Sequence, residues 1–521
     1  MLLFKAIFTI GGYTFVSRIL GFLRDILIAI FMGAGPVADA FFVAFKLPNF
    51  FRRLFAEGAF SAAFVPMFSR RLLVDGQAAA FKFATSVLSI LVVTLFLLVA
   101  LVQVAMPILM LGFAPGFSND PIRFSLAIEL TRITFPYLLF ISLVSLLGAV
   151  LNSLNRFAAA AATPIILNVC LIVGLLAATP YLQTPGHGLA WGVAFAGVMQ
   201  FLWLIFICRR EGFDLRLPRP RLNTEVKNLL GRIAPGALGA GVVQLNLLID
   251  IAIASTLPTG AVSFLYYADR LNQLPLGVIG IAIGTALLPL LSRQLRNGDY
   301  SAAREAMNRA VEIALLFSIP AAVALIVIAE PTIKTLFEYG AFDAATTRET
   351  SLALICYAIG LPAYIIIKVL APSFFAREDT STPVKIGILC ISINIILSLT
   401  LINIIGHAGI ALATAISAWI NVLFLAIVVK YKRYHRFDIR LGTRALKICF
   451  ASAAMGGVLW LMRIPFETHF SVLLGDRIFA LITVIFVGTL SYIIFSLVIG
   501  AASLKEVKAA FYKQSQLDRH Q

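Results

Sequence analysis

Residues Asp25 to Leu72 read DILIAIFMGAGPVADAFFVAFKLPNFFRRLFAEGAFSAAFVPMFSRRL, and their outline returns between Asp250 and Leu295. Asp25-Ile26 is matched by Asp250-Ile251, Gly35 by Gly260, and Lys46-Leu47 by Arg270-Leu271. Pro66-x-x-Ser69-Arg70-x-Leu72 is matched by Pro289-x-x-Ser292-Arg293-x-Leu295, at a spacing of about 224 residues. Further on, Pro136, Arg156 and Thr163-Pro164 are echoed by Pro362, Arg377 and Thr382-Pro383. The chain is an internal duplication.

The material of both copies is apolar. Of 521 residues, 60% are hydrophobic and 13% charged, against about 45–50% and about 25% in a soluble protein. The mean hydropathy is +0.96. Such a composition excludes a soluble multidomain enzyme, a disordered chain and a secreted disulfide scaffold. A transmembrane helix needs roughly 20 apolar residues, and apolar runs predict spans at 5–32, 37–68, 83–112, 123–152, 160–179, 187–208, 233–256, 261–291, 306–329, 350–371, 384–403, 407–430, 444–463 and 478–502. The expected fold is an all-α polytopic membrane protein of about 14 transmembrane helices. The run after Lys5 continues past Arg18 and Arg24 without a small-residue cleavage site, so it reads as a first helix and not a signal peptide.

Charge sets the orientation. Basic residues gather in alternate connections: Arg70, Arg71 and Lys82; Arg156; Arg209 to Arg232; Arg293 to Arg309; Arg377 and Lys385; Lys430 to Lys447. The opposite turns, such as 33–38 and 257–260, carry almost no cations. By the positive-inside rule the basic loops and both termini are cytoplasmic. The net charge of +17 is thereby explained by topology and lipid headgroups, and no nucleic-acid partner is expected. The six spans between the copies are an even number, so the copies share one orientation. Two parallel six-helix lobes follow, 1–208 and 233–430, joined by a cytoplasmic linker at 209–232. Residues 431–521 add two C-terminal helices and a cytoplasmic tail. Repeats of this kind mark transporters, with substrate held where repeats meet.

The first two spans hold Arg18, Arg24, Lys46, Arg52 and Arg53 against Asp25, Asp39 and Glu57. Exposing all eight to lipid would cost roughly 20 kcal/mol, at about 2.5 kcal/mol each. They must line water or pair. Ser17 and Arg24 are seven residues apart, as are Arg18 and Asp25, and Asp39, Lys46 and Arg53 form a seven-residue series along one face. Asn49 and Arg52 flank that series, and Arg53 with Glu57 makes an i,i+4 pair. Span 8 places Ser263, Tyr266, Arg270 and Gln273 on one face, with Asp269 beside it. Some of these charges serve only to hold helices together. Five cations against three acids nevertheless leave an excess of positive charge in spans 1 and 2, which suits a phosphorylated ligand because guanidinium groups fork onto phosphate oxygens.

A second constellation is Asp250 with Asn394 and Thr414, whose oxygens suit Na⁺ or a proton; the alternative is a carboxyl hydrogen-bonded into the lobe interior. The five cysteines and five histidines are scattered, without zinc or redox spacing. No organic cofactor is expected.

The runs Ser17-Arg18-Ile19-Leu20-Gly21-Phe22-x-Arg24-Asp25 and Ala38-Asp39-Ala40-Phe41-Phe42-Val43-Ala44-Phe45-Lys46-Leu47-Pro48-Asn49 resemble the bacterial lipid II flippase family MurJ, also called MviN. So do Arg52-Arg53-Leu54-Phe55-Ala56-Glu57-Gly58-Ala59-Phe60, Tyr266-Tyr267-Ala268-Asp269-Arg270-Leu271 and the Thr382–Lys385 element. The resemblance covers the whole chain. It implies the fold of the multidrug/oligosaccharidyl-lipid/polysaccharide exporter superfamily, two lobes in a V shape, with spans 13 and 14 forming a groove for a polyprenyl tail. It implies that Arg18, Arg24, Asp39, Arg52 and Arg270 line a headgroup cavity, and that Asp250 stands where some relatives place Na⁺; Ser398 stands where such relatives carry a second acid.

The function expected from the resemblance is transport of lipid II, the undecaprenyl-pyrophosphate disaccharide-pentapeptide, from the cytoplasmic to the periplasmic leaflet of the inner membrane for cell wall synthesis. A flippase for another polyprenyl-pyrophosphate glycan, such as an O-antigen unit, is the alternative, since the shared pyrophosphate explains the same arginines. A drug antiporter would carry unpaired acids in its cavity, and an enzyme would need a catalytic carboxylate or histidine cluster that no loop supplies. Membrane lipids, and cell-division or elongation proteins at the cytoplasmic loops, are the remaining expected partners.

Overall fold

The computed structural model describes residues 2–55, 59–213, 218–220, 223–435, 437–469 and 474–501. Glu57, parts of the 209–232 linker and the expected tail beyond 501 lie outside the described residues. Among the described residues every regular element is helical. The first half runs α1 (Leu2–Met32), α2 (Pro36–Phe55), α3 (Ala59–Val74), α4 (Gly76–Phe113), α5 (Pro121–Thr134), α6 (Tyr137–Ser153), α7 (Phe157–Val173), α8 (Pro185–Arg210) and α9 (Thr224–Ser255). The second runs α10 (Ala261–Pro275), α11 (Ile281–Arg296), α12 (Tyr300–Val327), α13 (Ala329–Phe337), α14 (Ala344–Phe375), α15 (Ser381–Ile405), α16 (His407–Tyr431), α17 (Ile439–His469) and α18 (Leu474–Val498).

Eleven helical segments of the described residues are long and apolar enough to cross a membrane. The protein is therefore a multi-pass membrane protein. Helices α1, α2, α3 and α9 are not among the eleven, and α1 and α2 carry most of the charges singled out above. Proline and capping chemistry set several boundaries. Asp120 accepts from the Ile122 and Arg123 amides, with Pro121 following, and so opens α5. Asn223 opens α9 by accepting from the Val226 amide at 3.0 Å. Pro136 separates α5 from α6, where the hydropathy alone shows one run. Pro275 ends α10, and a wide π turn, Leu276–Gly280, joins it to α11.

The chain forms two compact units, Met1–Ser263 with Tyr339–Asp343, and Phe264–Glu338 with Ala344–Gln521. In unit 1, α1 packs on α7, α2 on α5 and α8, and α6 and α7 on α8, while α9 lies against α2, α3 and α4. Leu47, Leu95, Val102, Met106, Phe135 and Leu138 form a buried core. The end of α1 is clasped by the short 339–343 segment: the Ala341 amide donates to the Ile30 carbonyl at 2.8 Å. Gly33 (φ +54°) and Gly340 (φ +61°) make that approach; a Cβ on either would stand 2.2 Å from the Ala341 carbonyl oxygen or 2.4 Å from that of Ile30.

In unit 2, α14 packs on α12 and α16, and α15 on α16. Its core includes Leu291, Val311, Leu361, Ile365, Val369, Phe374 and Leu425. Helices α17 and α18 share a smaller core of Ile328, Met455, Leu459, Leu481 and Val484. Arg156 and Arg377, which echo each other in the sequence, make comparable ties. Arg156 Nε meets Glu211 at 2.9 Å, and Arg377 donates to the Tyr434 carbonyl at 2.8 Å with its guanidinium 4.7 Å from that ring. Each arginine ties the turn after the fourth expected span of its half to the segment after the sixth.

Candidate substrate-binding site

Unit 1 holds two buried charge clusters. In the first, Arg24 is 5% exposed and Asp25 2%. Arg24 donates from Nε and Nη2 to Asp25 Oδ1, at 3.0 and 2.6 Å, and from Nη1 to Asn168 Oδ1 at 2.9 Å. Asn168 Nδ2 in turn donates to the Ser17 carbonyl at 2.9 Å and lies 3.4 Å from Ser17 Oγ. Asn168 thus bridges Ser17 and Arg24, two turns apart on α1. Burial is affordable because each guanidinium nitrogen has an oxygen acceptor. A planar cation held by one carboxylate and one amide has the fork geometry that suits phosphate oxygens.

The second cluster centres on Asp39, fully buried in the first turn of α2. Its Oδ2 accepts the Gly260 amide at 2.7 Å, and its Oδ1 accepts the Ser263 amide at 3.0 Å and the Ser263 hydroxyl at 2.6 Å. Arg123 Nη1 lies 3.6 Å from Asp39 Oδ2, its Nε 3.2 Å from Asp120, and its guanidinium 4.7 Å from the Phe117 ring centroid. Asp39 therefore caps the start of α10 from another helix, where free amides and the helix dipole favour an anion. The 113–120 segment closes on the same end, with the Gly116 amide donating to Ser255 Oγ at 3.0 Å.

The other predicted residues are dispersed. Arg18 and Arg53 are exposed, Lys46, Asn49 and Arg52 half-buried, and Asn49 Nδ2 donates to the Phe45 carbonyl at 2.8 Å. In unit 2 Gln273 donates to Asp269, and Arg270 donates to the Tyr266 hydroxyl at 2.9 Å with its guanidinium 4.7 Å from that ring. Asp250, in unit 1, lies 3.4 Å from Asn246 Nδ2. In unit 2 Thr414 Oγ1 is 3.5 Å from Asn394 Oδ1, and the buried Ser398 hydroxyl has no hydrogen-bond partner among the described residues. These neutral oxygens fit the donor set of a hard cation such as Na⁺.

The candidate residues read from the sequence include neither Asn168 nor Arg123. Outside the spans, unit 2 has a further polar knot. Asp379 accepts from Lys432 Nζ at 2.6 Å and from the Thr382 hydroxyl at 2.8 Å, and the lysine ammonium, then Thr382, hold its carboxyl down at about 2. His435 is buried and its ring is pushed down to about 4, chiefly by desolvation and then by Arg304. Its Nε2 lies 2.9 Å from Asn308 Oδ1, and Asn308 Nδ2 donates to Asp438 at 2.9 Å.

Buried charge clusters within a multi-pass helical membrane protein are the mark of a transporter. Its relatives name the kind. The family model for lipid II flippase MurJ matches residues 28–497. A protein of Rhizobium meliloti (strain 1021) named probable lipid II flippase MurJ is 40% identical over 98% of this chain and 96% of its own length. A Burkholderia cenocepacia protein named lipid II flippase MurJ is 38% identical over 82% of this chain and 83% of its own. A solved structure of lipid II flippase MurJ in an inward closed conformation superposes with a TM-score of 0.79 at 31% identity, covering 94% of this chain and 98% of that one. The chain belongs to the lipid II flippase family MurJ. An inward-facing multidrug transporter of the MATE family shares the fold, with a TM-score of 0.64 at 16% identity over 82% of this chain and 94% of that one.

Proposed function

We propose that this protein moves lipid II from the cytoplasmic to the periplasmic leaflet of the bacterial inner membrane, by alternating access, to supply cell wall synthesis. The observation that carries the reading is the match of nearly the whole chain to proteins named for this activity. The geometry supports it. Arg24 is buried with two exchangeable oxygen partners, a disposition suited to the substrate's pyrophosphate. Asp39 locks the Gly260–Ser263 turn, which is cation-poor and so belongs to the periplasmic side by the positive-inside rule. In this reading the basic loops and both termini face the cytoplasm. Outward movement of the anionic headgroup is favoured by a negative-inside potential, at about 2.3 kcal/mol per charge per 100 mV. Na⁺ is the proposed coupling or structural ion, with Asn394 and Thr414 among its oxygen donors. Depletion of the protein with measurement of lipid II in each leaflet tests the proposal: lipid II should accumulate in the inner leaflet. Unchanged lipid II with accumulation of another polyprenyl-linked glycan would reassign the substrate.

A further inference from the structure

Lys368 interrupts an apolar run of α14, Ile365-Ile366-Ile367-Lys368-Val369-Leu370. A cation inside a span has three ordinary explanations: it pairs with an acid, it reaches for the interface, or it serves a ligand. The first is excluded among the described residues, where Lys368 has no hydrogen bond and no ion pair. The second conflicts with where its stem lies. A Cβ built on Gly280 would stand 3.0 Å from Lys368 Cδ and 3.7 Å from Cε. One on Gly284 would stand 3.7 Å from the Lys368 carbonyl oxygen and 4.0 Å from its Cβ. The stem is therefore laid across the glycine face of the α10–α11 run, against protein and not lipid. Gly280 ends the π turn near the middle of the 36-residue segment Ala261–Arg296, well away from either end. The residue is half-buried, so part of its surface stays open.

We infer that Lys368 is an anion-binding residue of unit 2, taking a phosphate or carboxylate oxygen of the transported substrate, with Gly280 and Gly284 kept bare to seat its stem. The inference rests on the lipid II reading above, whose substrate carries both a pyrophosphate and peptide carboxylates. A strongly hydrated point charge on a flexible stem suits either group. The same α10–α11 run carries Asp269 and Arg270, which are engaged by Gln273 and Tyr266, so Lys368 adds a cation that this neighbourhood does not already occupy.

The test uses the full-length protein in nanodiscs, with Lys368→Met and Lys368→Arg, and measures affinity for lipid II and for undecaprenyl pyrophosphate. Lys368→Met should weaken lipid II binding about tenfold, and Lys368→Arg should restore it to within about twofold. Weakening toward both ligands assigns the oxygen to the pyrophosphate; weakening toward lipid II alone assigns it to a peptide carboxylate. The thermal midpoint of Lys368→Met should not fall, because no partner is lost. Unchanged affinity for both ligands, with or without a lower midpoint, overturns the inference and leaves the substrate reading standing. A wild-type protein that binds neither ligand overturns both.

Discussion

Asp25 and Asp39 are two buried carboxylates near the start of the chain, and they end in different kinds of contact. Asp25 is held by the Arg24 guanidinium, whose remaining nitrogen goes to Asn168. Asp39 is held by two backbone amides and one hydroxyl at the start of α10, with Arg123 behind it. Both are buried acids, and composition treats them alike. Side-chain partners can trade one acceptor for another, so the first cluster is suited to bind. Backbone amides belong to a chain segment, so the second cluster fixes where that segment sits. Two neighbouring helices thus carry buried acids with different kinds of partner, side chains in one and a chain segment in the other.

The largest expected effect separates the two directly. Arg24→Ala should abolish transport with normal membrane levels, and cells relying on it should not grow; Asn168→Ala, which removes one of the two partners of Arg24 and keeps Asp25, should leave partial activity. Normal growth on well-expressed Arg24→Ala would strip the first cluster of its binding role. At the second cluster the loss is in stability. Asp39→Ala leaves buried amides unmatched and Arg123 with Asp120 alone, and should cost about 3–5 kcal/mol in thermal or denaturant unfolding, whereas Ser263→Ala, which removes one donor to a charged acceptor, should cost about 1.5–3 kcal/mol. If Asp39→Ala unfolds like the wild type yet fails in transport, Asp39 belongs with Arg24 and the contrast collapses.

The smallest effect comes from an acid that is neither buried among spans nor bound to a distant helix start. Asp379 sits at about 2, below the ordinary carboxylate value of about 3.9. Its contribution is fully present above the ordinary value and is lost as pH falls from about 4 through about 2. The midpoint difference between wild type and Asp379→Asn should therefore shrink across that window. It should stay modest throughout, since its partner Lys432 is exposed to solvent screening. A difference that persists unchanged at pH 2 would mean that the Lys432 pairing is not what Asp379 contributes.

The helical membrane architecture was legible because hydropathy integrates over some twenty residues and tolerates local error. Breaks at Pro136 and Pro275 were visible as prolines but not as the ends of separate helices, because an apolar run reads the same on either side of them. The charges of α1 and α2 stood out for the same reason that they are costly. Asn168 did not. It is neutral, alone in its span, and meets Arg24 across 144 residues of sequence, a pairing no local period reveals. Asp39 was seen as a cavity charge, and the 257–260 turn as a connection poor in cations, yet only the fold joins them, since one partner is an amide that every residue but proline possesses.

The clasp at the end of α1 has a consequence for how the protein is made. Unit 1 is contiguous to Ser263 but takes its last piece from Tyr339–Asp343, with 264–338 between them assigned to unit 2. A translating ribosome emits about 5–20 residues each second, so the nascent first unit waits roughly 4–15 s after Ser263 before its closing strip is even synthesised. During that interval Gly33 has no Ala341 carbonyl against it. Completion of the first unit is therefore interleaved with synthesis of the second, and the first can reach its finished form only after the opening stretch of the second has been made.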